Sequence, residues 1–124
     1  MTAPVITIDG PSGSGKGTVA RLIALELGFH LLDSGAIYRV LGLAATDARI
    51  QLDDSDALAS LSDSLNLSFP YNAQCTQIIL NGASVGDRLR TQVAADAASR
   101  VAIHPRVRDA LMNLQRRQAR DPGL

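Results

Sequence analysis

The chain opens on a β-branched run, Val5-Ile6-Thr7-Ile8, closed by Asp9-Gly10, which reads as a buried strand. Gly10 to Gly15 is a glycine-rich turn, and beyond it Val19, Leu22, Ile23 and Leu27 recur at helical spacing. Gly28 stands where a left-handed helix stop is wanted. A second apolar run, Phe29-His30-Leu31-Leu32, ends at Asp33, and Ser34 is placed to cap a helix with Ile37, Val40, Leu41 and Ala44 on one face. Strand, loop, helix, strand, helix in that order predicts an α/β fold with a parallel sheet.

The middle of the chain changes pattern. Asp54 or Ser55 can cap a helix bearing Leu58, Leu61 and Leu65. Leu67-Ser68-Phe69 and the stretch from Gln74 to Leu80 read as strands, with Thr76, Ile78 and Leu80 on one face. Asn81-Gly82 is a strong hairpin signal because both residues tolerate positive φ. A small antiparallel unit over roughly residues 66–86 therefore interrupts the parallel pattern. Thr91 can start a helix that packs through Val93, Ala94, Ala97, Ala98 and Val101, and His104-Pro105 breaks it. A last helix carries Val107, Leu111 and Leu114 at core spacing, with Arg116, Arg117 and Arg120 towards its C-terminal end, where cations suit the dipole.

The 124 residues are one domain's worth of sequence, 46% hydrophobic and 19% charged. Twelve basic and twelve acidic side chains cancel, which argues against a polyanion-wrapping, nucleic-acid-binding protein. The charges are nevertheless segregated. Residues 43–87 carry Asp47, Asp53, Asp54, Asp56, Asp63 and Asp87 against Arg49 alone, whereas residues 88–120 carry eight arginines against Asp96 and Asp109. That arginine excess reads either as solvated helix faces or as anion recognition, since guanidinium forks onto phosphate oxygens. Cys75 alone cannot form an internal disulfide and fits a reducing compartment. No run of ~18 apolar residues and no leader-like start is present, so the expectation is a cytoplasmic protein without a membrane partner.

The chemistry is concentrated in Gly10-Pro11-Ser12-Gly13-Ser14-Gly15-Lys16-Gly17-Thr18, set between a strand and a helix. Glycines let successive N–H groups point inward, and the helix N-terminus adds positive potential, which together cradle phosphates. Lys16, the chain's only lysine, supplies a point charge to the β- and γ-phosphates. The usual G-x-x-x-x-G-K-[ST] pattern holds through Lys16, but Gly17 follows and the hydroxyl arrives one place later at Thr18. The bland alternative is a glycine-rich turn without a ligand.

That displaced threonine resembles the loop of nucleoside monophosphate kinases. Leu32-Asp33-Ser34-Gly35-Ala36-Ile37-Tyr38-Arg39, then Leu89-Arg90-Thr91-Gln92, Ala97-Ala98-Ser99 and Pro105-Arg106-Val107-Arg108-Asp109-Ala110-Leu111 extend the likeness over essentially the whole chain. Together they resemble the bacterial cytidylate kinases. The resemblance implies a P-loop NTPase fold and ATP-dependent transfer of a phosphoryl group to CMP or dCMP, with Mg²⁺ held mainly through ATP and water. It implies that Gly10 to Thr18 hold the ATP phosphates, with Lys16 the catalytic charge. Ser34, Arg39, Ser99 and Arg108 match positions that contact the acceptor, Arg90 lies near them, and Asp33 and Tyr38 flank the site. It further implies a P-loop core over 1–33, an acceptor-binding region over 34–110 with its antiparallel insert, and a return towards the core over 111–124.

The residue types support these roles. A monophosphate carries nearly two negative charges, so arginines that fork onto it are a sound device. Ligands of open α/β sheets sit beyond the carboxyl ends of strands, where both Gly10 and Ser34 fall. Surface solvation for Arg39, Arg90 and Arg108, packing or back-bonding for Ser99 and simple capping for Asp33 are the plainer alternatives. His30 reads as a packed core residue, His104 as structural, and Cys75 as a small hydrophobe, with no metal-ligand spacing among them.

The family also runs on beyond the equivalent of Leu124, through a third parallel strand that lies between the first two. The expectation is an N-terminal part of a kinase, with an incomplete sheet, little activity by itself and a monomeric state. Two other functions remain open: a P-loop kinase for a different small acceptor, and an ATP-binding module that transfers nothing.

Overall fold

The structure is a computed structural model that describes residues 3–11 and 13–124. Its helices are α1 (Lys16–Leu27), α2 (Ser34–Asp47), α3 (Ser55–Asp63), α4 (Gln92–Ala102) and α5 (Pro105–Gln118). Between α3 and α4 lie three two-residue strands, β1 (Leu67–Ser68), β2 (Ile79–Leu80) and β3 (Ala83–Ser84), and a 3₁₀ turn over Asp87–Arg90.

The core belongs to the helices after residue 33. Ile37, Val40, Leu41 and Ala45 of α2 are fully enclosed, together with Leu58 of α3, Val101 of α4 and Val107 and Leu111 of α5. Each fully buried side chain of this size contributes about 1.5–3 kcal/mol, so the heptad-like rows seen in the sequence account for where these helices sit. α2 crosses α4 at Gly42, where the absence of a side chain lets the helices approach. Leu67, Phe69 and Leu80 of the insert cover one side of the same cluster. Val93, expected on the packing face of α4, is instead 74% exposed, because Ala94, Ala97 and Val101 already define that face.

The insert follows its turn chemistry. β1, β2 and β3 form an antiparallel meander, with Leu67 opposite Leu80 and Leu80 opposite Ala83. The two-residue loop is Asn81-Gly82, at φ 50° and 88°. The expected strand from Gln74 to Leu80 is shorter than its apolar pattern, with only Thr76 bridging back to Tyr71 before Ile79. Tyr71 donates its hydroxyl proton to the carbonyl oxygen of Phe29, which ties the insert to the N-terminal region.

The predicted parallel sheet is not formed among the described residues. Val5–Ile8 and Phe29–Leu32 form no assigned strand, and Val5 and Ile6 are 53% and 46% exposed rather than buried. A strand exists only through its ladder, and a local apolar run cannot supply the neighbour. The partner each segment does have is the tail. Ile6 N donates to Leu124 O at 2.8 Å, Leu124 N to Pro4 O at 3.0 Å, and His30 N to Gly123 O at 2.9 Å. Gly123-Leu124 thus lies between the two segments and starts a parallel pairing with the first. Beyond it the segments border a cleft of about 420 Å³ lined by Val5, Ile8, Leu31, Leu32, Met112 and Arg116. The amphipathic face of α1 has no sheet to cover it: only Ala24 is buried, while Val19 and Leu22 are 48% and 50% exposed.

Candidate functional site

The glycine-rich loop has the backbone that its sequence predicts. Gly13 and Gly15 take φ 79° and 85°, values that side-chain-bearing residues rarely adopt, and Ser14 N closes a tight turn onto Pro11 O at 3.2 Å. A Cβ on Gly10 would stand 2.9 Å from Ser14 Oγ, so the loop curls closely over its own start. Gly15 is the N-cap of α1 and offers no side chain to its first-turn amides. Those amides and the helix potential are therefore directed to the loop mouth. Lys16 Nζ donates to Gly10 O at 2.9 Å, which lays the ammonium along the loop. Gly17 and Thr18 lie in the exposed first turn of α1, and Pro11 is exposed on the loop. Ser12, expected in the cradle, lies outside the described residues.

At the other segment end, Asp33 rather than Ser34 is the N-cap of α2. Its Oδ1 accepts from Gly35 N at 3.1 Å and Ala36 N at 3.3 Å, which leaves Ser34 as the first helical residue, exposed. The longer aspartate reaches the N2 and N3 amides from the extended backbone that Ser34 does not have. Tyr38, half-buried, packs on the core cluster. Arg39, one turn beyond Gly35, donates through NH1 to Leu89 O at 2.8 Å.

That bond brings α2 to the 3₁₀ turn which carries Arg90. The Arg90 side chain is 80% exposed and, among the described residues, pairs with Asp87, itself 98% exposed, at 3.5 Å. Arg88 is fastened more firmly. Its NH1 and NH2 fork onto Oδ2 and Oδ1 of Asp47 at 3.1 and 2.8 Å, and this hydrogen-bonded contact, then the Asp47 charge, raises the Arg88 pKa above its ordinary value. Arg108 donates through NH1 to Ala102 O at 2.9 Å, in the last turn of α4, one helical turn from the exposed Ser99. The expected acceptor residues thus fall into two groups: Asp33, Ser34, Tyr38, Arg39 and Arg90 about the start of α2, and Ser99 with Arg108 at the α4–α5 junction.

Charge segregation in the sequence is realised partly as pairing between segments. Arg88 and Arg106, from the basic stretch, pair with Asp47 and Asp56 of the acidic one. Sequence reading missed both pairs, since partners 41 and 50 residues apart leave no local signal. The histidines are structural connectors: His30 Nε2 meets Asp121 O, and His104 Nε2 meets Leu52 O, both at 2.9 Å. Cys75 is an exposed free thiol on the insert, not a packed hydrophobe, because the Asn72 side chain accepts from the amides of Gln74 and Cys75 and turns the chain outward there.

Among the described residues no helix is long and apolar enough to cross a membrane. A family model described as cytidylate kinase matches residues 6–124. A cytidylate kinase of Aeromonas hydrophila is 50% identical over 122 residues, which cover 98% of this chain and 53% of that protein. One from Colwellia psychrerythraea is 50% identical over 124 residues, covering 99% and 55% respectively. One from Burkholderia mallei is 51% identical over 121 residues, covering 98% and 51%. The chain spans about half the length of the curated relatives it matches.

Proposed function

The chain belongs to the cytidylate kinase family, whose fold is that of the P-loop NTPases, and on that premise we propose that its protein transfers the γ-phosphoryl group of ATP to CMP or dCMP, giving CDP or dCDP. The observation that supports this reading is the geometry of the glycine-rich loop, in which left-handed Gly13 and Gly15 leave the first-turn amides of α1 open beside the only lysine of the chain. Phosphoryl transfer demands little acid–base chemistry and much charge neutralisation and alignment, which is what such a cradle provides. In this reading the Gly10–Thr18 loop binds the ATP phosphates, and Lys16 leaves the Gly10 carbonyl to follow the charge that builds on the bridging oxygen. Mg²⁺ would be held mainly through ATP and water, and the donors at the loop, Asp9, Ser14 and Thr18, are oxygens of the kind that would suit it. Bound there, it would offset phosphate charge.

In the same reading Ser34, Arg39, Ser99 and Arg108 contact the acceptor nucleotide, Arg39 and Arg108 through its phosphate, with Arg90 near them and Asp33 and Tyr38 flanking the site. Arg39 spends one of its five N–H donors on Leu89, which leaves the rest for phosphate oxygens. Residues 1–33 then serve as the nucleotide-triphosphate core, 34–110 as the acceptor region, and 111–124 as the return to the core. The protein acts as a cytoplasmic monomer on small molecules. The test is an acceptor panel with ATP and Mg²⁺: CMP, dCMP, UMP, AMP and shikimate. Preferential turnover of CMP and dCMP supports the reading; preference for another acceptor, or ATP binding with no transfer, overturns it.

A further inference from the structure

The 3₁₀ turn over Asp87–Arg90 is a weak element by itself. It has four residues, and Leu89 N shares its bond between Val85 O and Gly86 O, both at 3.2 Å. Two contacts from α2 hold it instead, one on each of two consecutive residues. Arg39 takes the peptide oxygen that joins Leu89 to Arg90, and Asp47 takes the forked guanidinium of Arg88. Asp47 is also oddly placed for a carboxylate. It is the last residue of α2, where the helix potential disfavours negative charge, so an arginine fork there answers a local electrostatic misfit.

We infer that the Arg88–Asp47 fork is a positioning device for the acceptor phosphate: it fixes the 3₁₀ turn on α2 so that Arg90 is presented in constant register with Arg39. The inference rests on the acceptor-site reading given above. Arg88 and Asp47 themselves touch no substrate. Arg90, 80% exposed and only loosely in contact with Asp87, has a guanidinium available to an incoming anion, and its aim depends on the backbone beneath it. The turn is anchored underneath by Leu89, 3% exposed, and packs on α4 as well as on α2. The fork adds a hold displaced eight residues along α2 from Arg39, roughly 12 Å of helix axis, so the turn is held at two separated points of that helix.

The test uses the intact protein with Asp47→Asn, Arg88→Gln and the exchanged pair Asp47→Arg with Arg88→Asp. Each single change is expected to raise KM for CMP about 2- to 5-fold, the ratio that matches an exposed ion pair. kcat and KM for ATP stay unchanged, and amide hydrogen exchange over residues 87–91 quickens. The exchanged pair restores both KM for CMP and the protection. Unchanged exchange and unchanged KM for CMP in the single variants overturn the inference, as does a parallel fall of every kinetic parameter with the melting temperature, which marks a purely structural pair. Failure of the unmodified protein to phosphorylate CMP overturns the acceptor-site reading instead, and hydrogen exchange then reports separately on whether the fork holds the turn.

Discussion

Gly42 of α2 lies so close to Ala97 of α4 that a Cβ on Gly42 would stand 2.9 Å from the Ala97 Cβ and 3.3 Å from its carbonyl carbon. A mid-helix glycine ordinarily costs about 1 kcal/mol against alanine, so it persists here for close approach. Gly42→Ala is expected to destabilise the chain despite that helix-propensity gain. Overpacking against backbone costs about 1–3 kcal/mol, which leaves a net loss of about 1 kcal/mol. A thermal melt should fall by about 4 °C. The double change Gly42→Ala with Ala97→Gly returns the space and recovers most of the loss; a double variant as unstable as the sum of its singles would show that the contact is not the cause.

Asp33 separates two roles by a conservative change. Its carboxylate caps α2 through the Gly35 and Ala36 amides. Asp33→Ala is expected to cost about 1 kcal/mol, whereas Asp33→Asn, also a good cap, keeps stability. If capping is its whole contribution, Asn also keeps KM for CMP. A melt unchanged in Asn alongside a raised KM would assign the charge a direct part in acceptor binding.

Tyr71→Phe removes the side-chain bond that the insert makes to the Phe29–Leu32 segment, the hydroxyl on Phe29 O. A neutral hydrogen bond of this kind contributes about 0.5–1.5 kcal/mol. The variant is expected to melt at a slightly lower temperature, with faster amide exchange localised to residues 29–32 and to Tyr71–Thr76. Uniformly unchanged exchange in both segments would deny the tether.

What could be read from the sequence was local. Asn81-Gly82 announces its turn because the required positive φ is a property of those two residues. Gly13 and Gly15 announce the tight turn of the glycine-rich loop in the same way, and the helical rows Ile37, Val40 and Leu41, or Val107, Leu111 and Leu114, declare the face they bury. Val5–Ile8 shows where that reading stops: a β-branched run states only a preference for extension, and the ladder that makes a strand comes from elsewhere in the chain; among the described residues Gly123-Leu124 supplies its backbone partner, in keeping with the incomplete sheet that was expected. The exchange of Ser34 for Asp33 as cap turned on one residue of backbone geometry. Of the proposed acceptor site, the sequence offers the residue types and the Asp33–Arg39 segment. The grip of Arg39 on Leu89 and the Arg88–Asp47 fork were not legible there, since both link positions brought together only by the crossing of α2 with α4.

Lys16 is the sharpest test of the cradle. Its ammonium is exposed and rests on the Gly10 carbonyl, so it carries no packing that a substitution would forfeit. Lys16→Met keeps the aliphatic stem and is expected to leave the melt unchanged. The rate of phosphoryl transfer should nevertheless fall by ~10²–10³, the scale of one lost transition-state charge contact in a dry site. Lys16→Arg should not restore it: guanidinium is a planar fork, whereas the loop beside Gly10 accommodates a compact point charge that can swing from carbonyl to phosphate. A Lys16→Met enzyme with undiminished kcat would remove the lysine from the chemistry and leave the loop amides as the whole of the phosphate site.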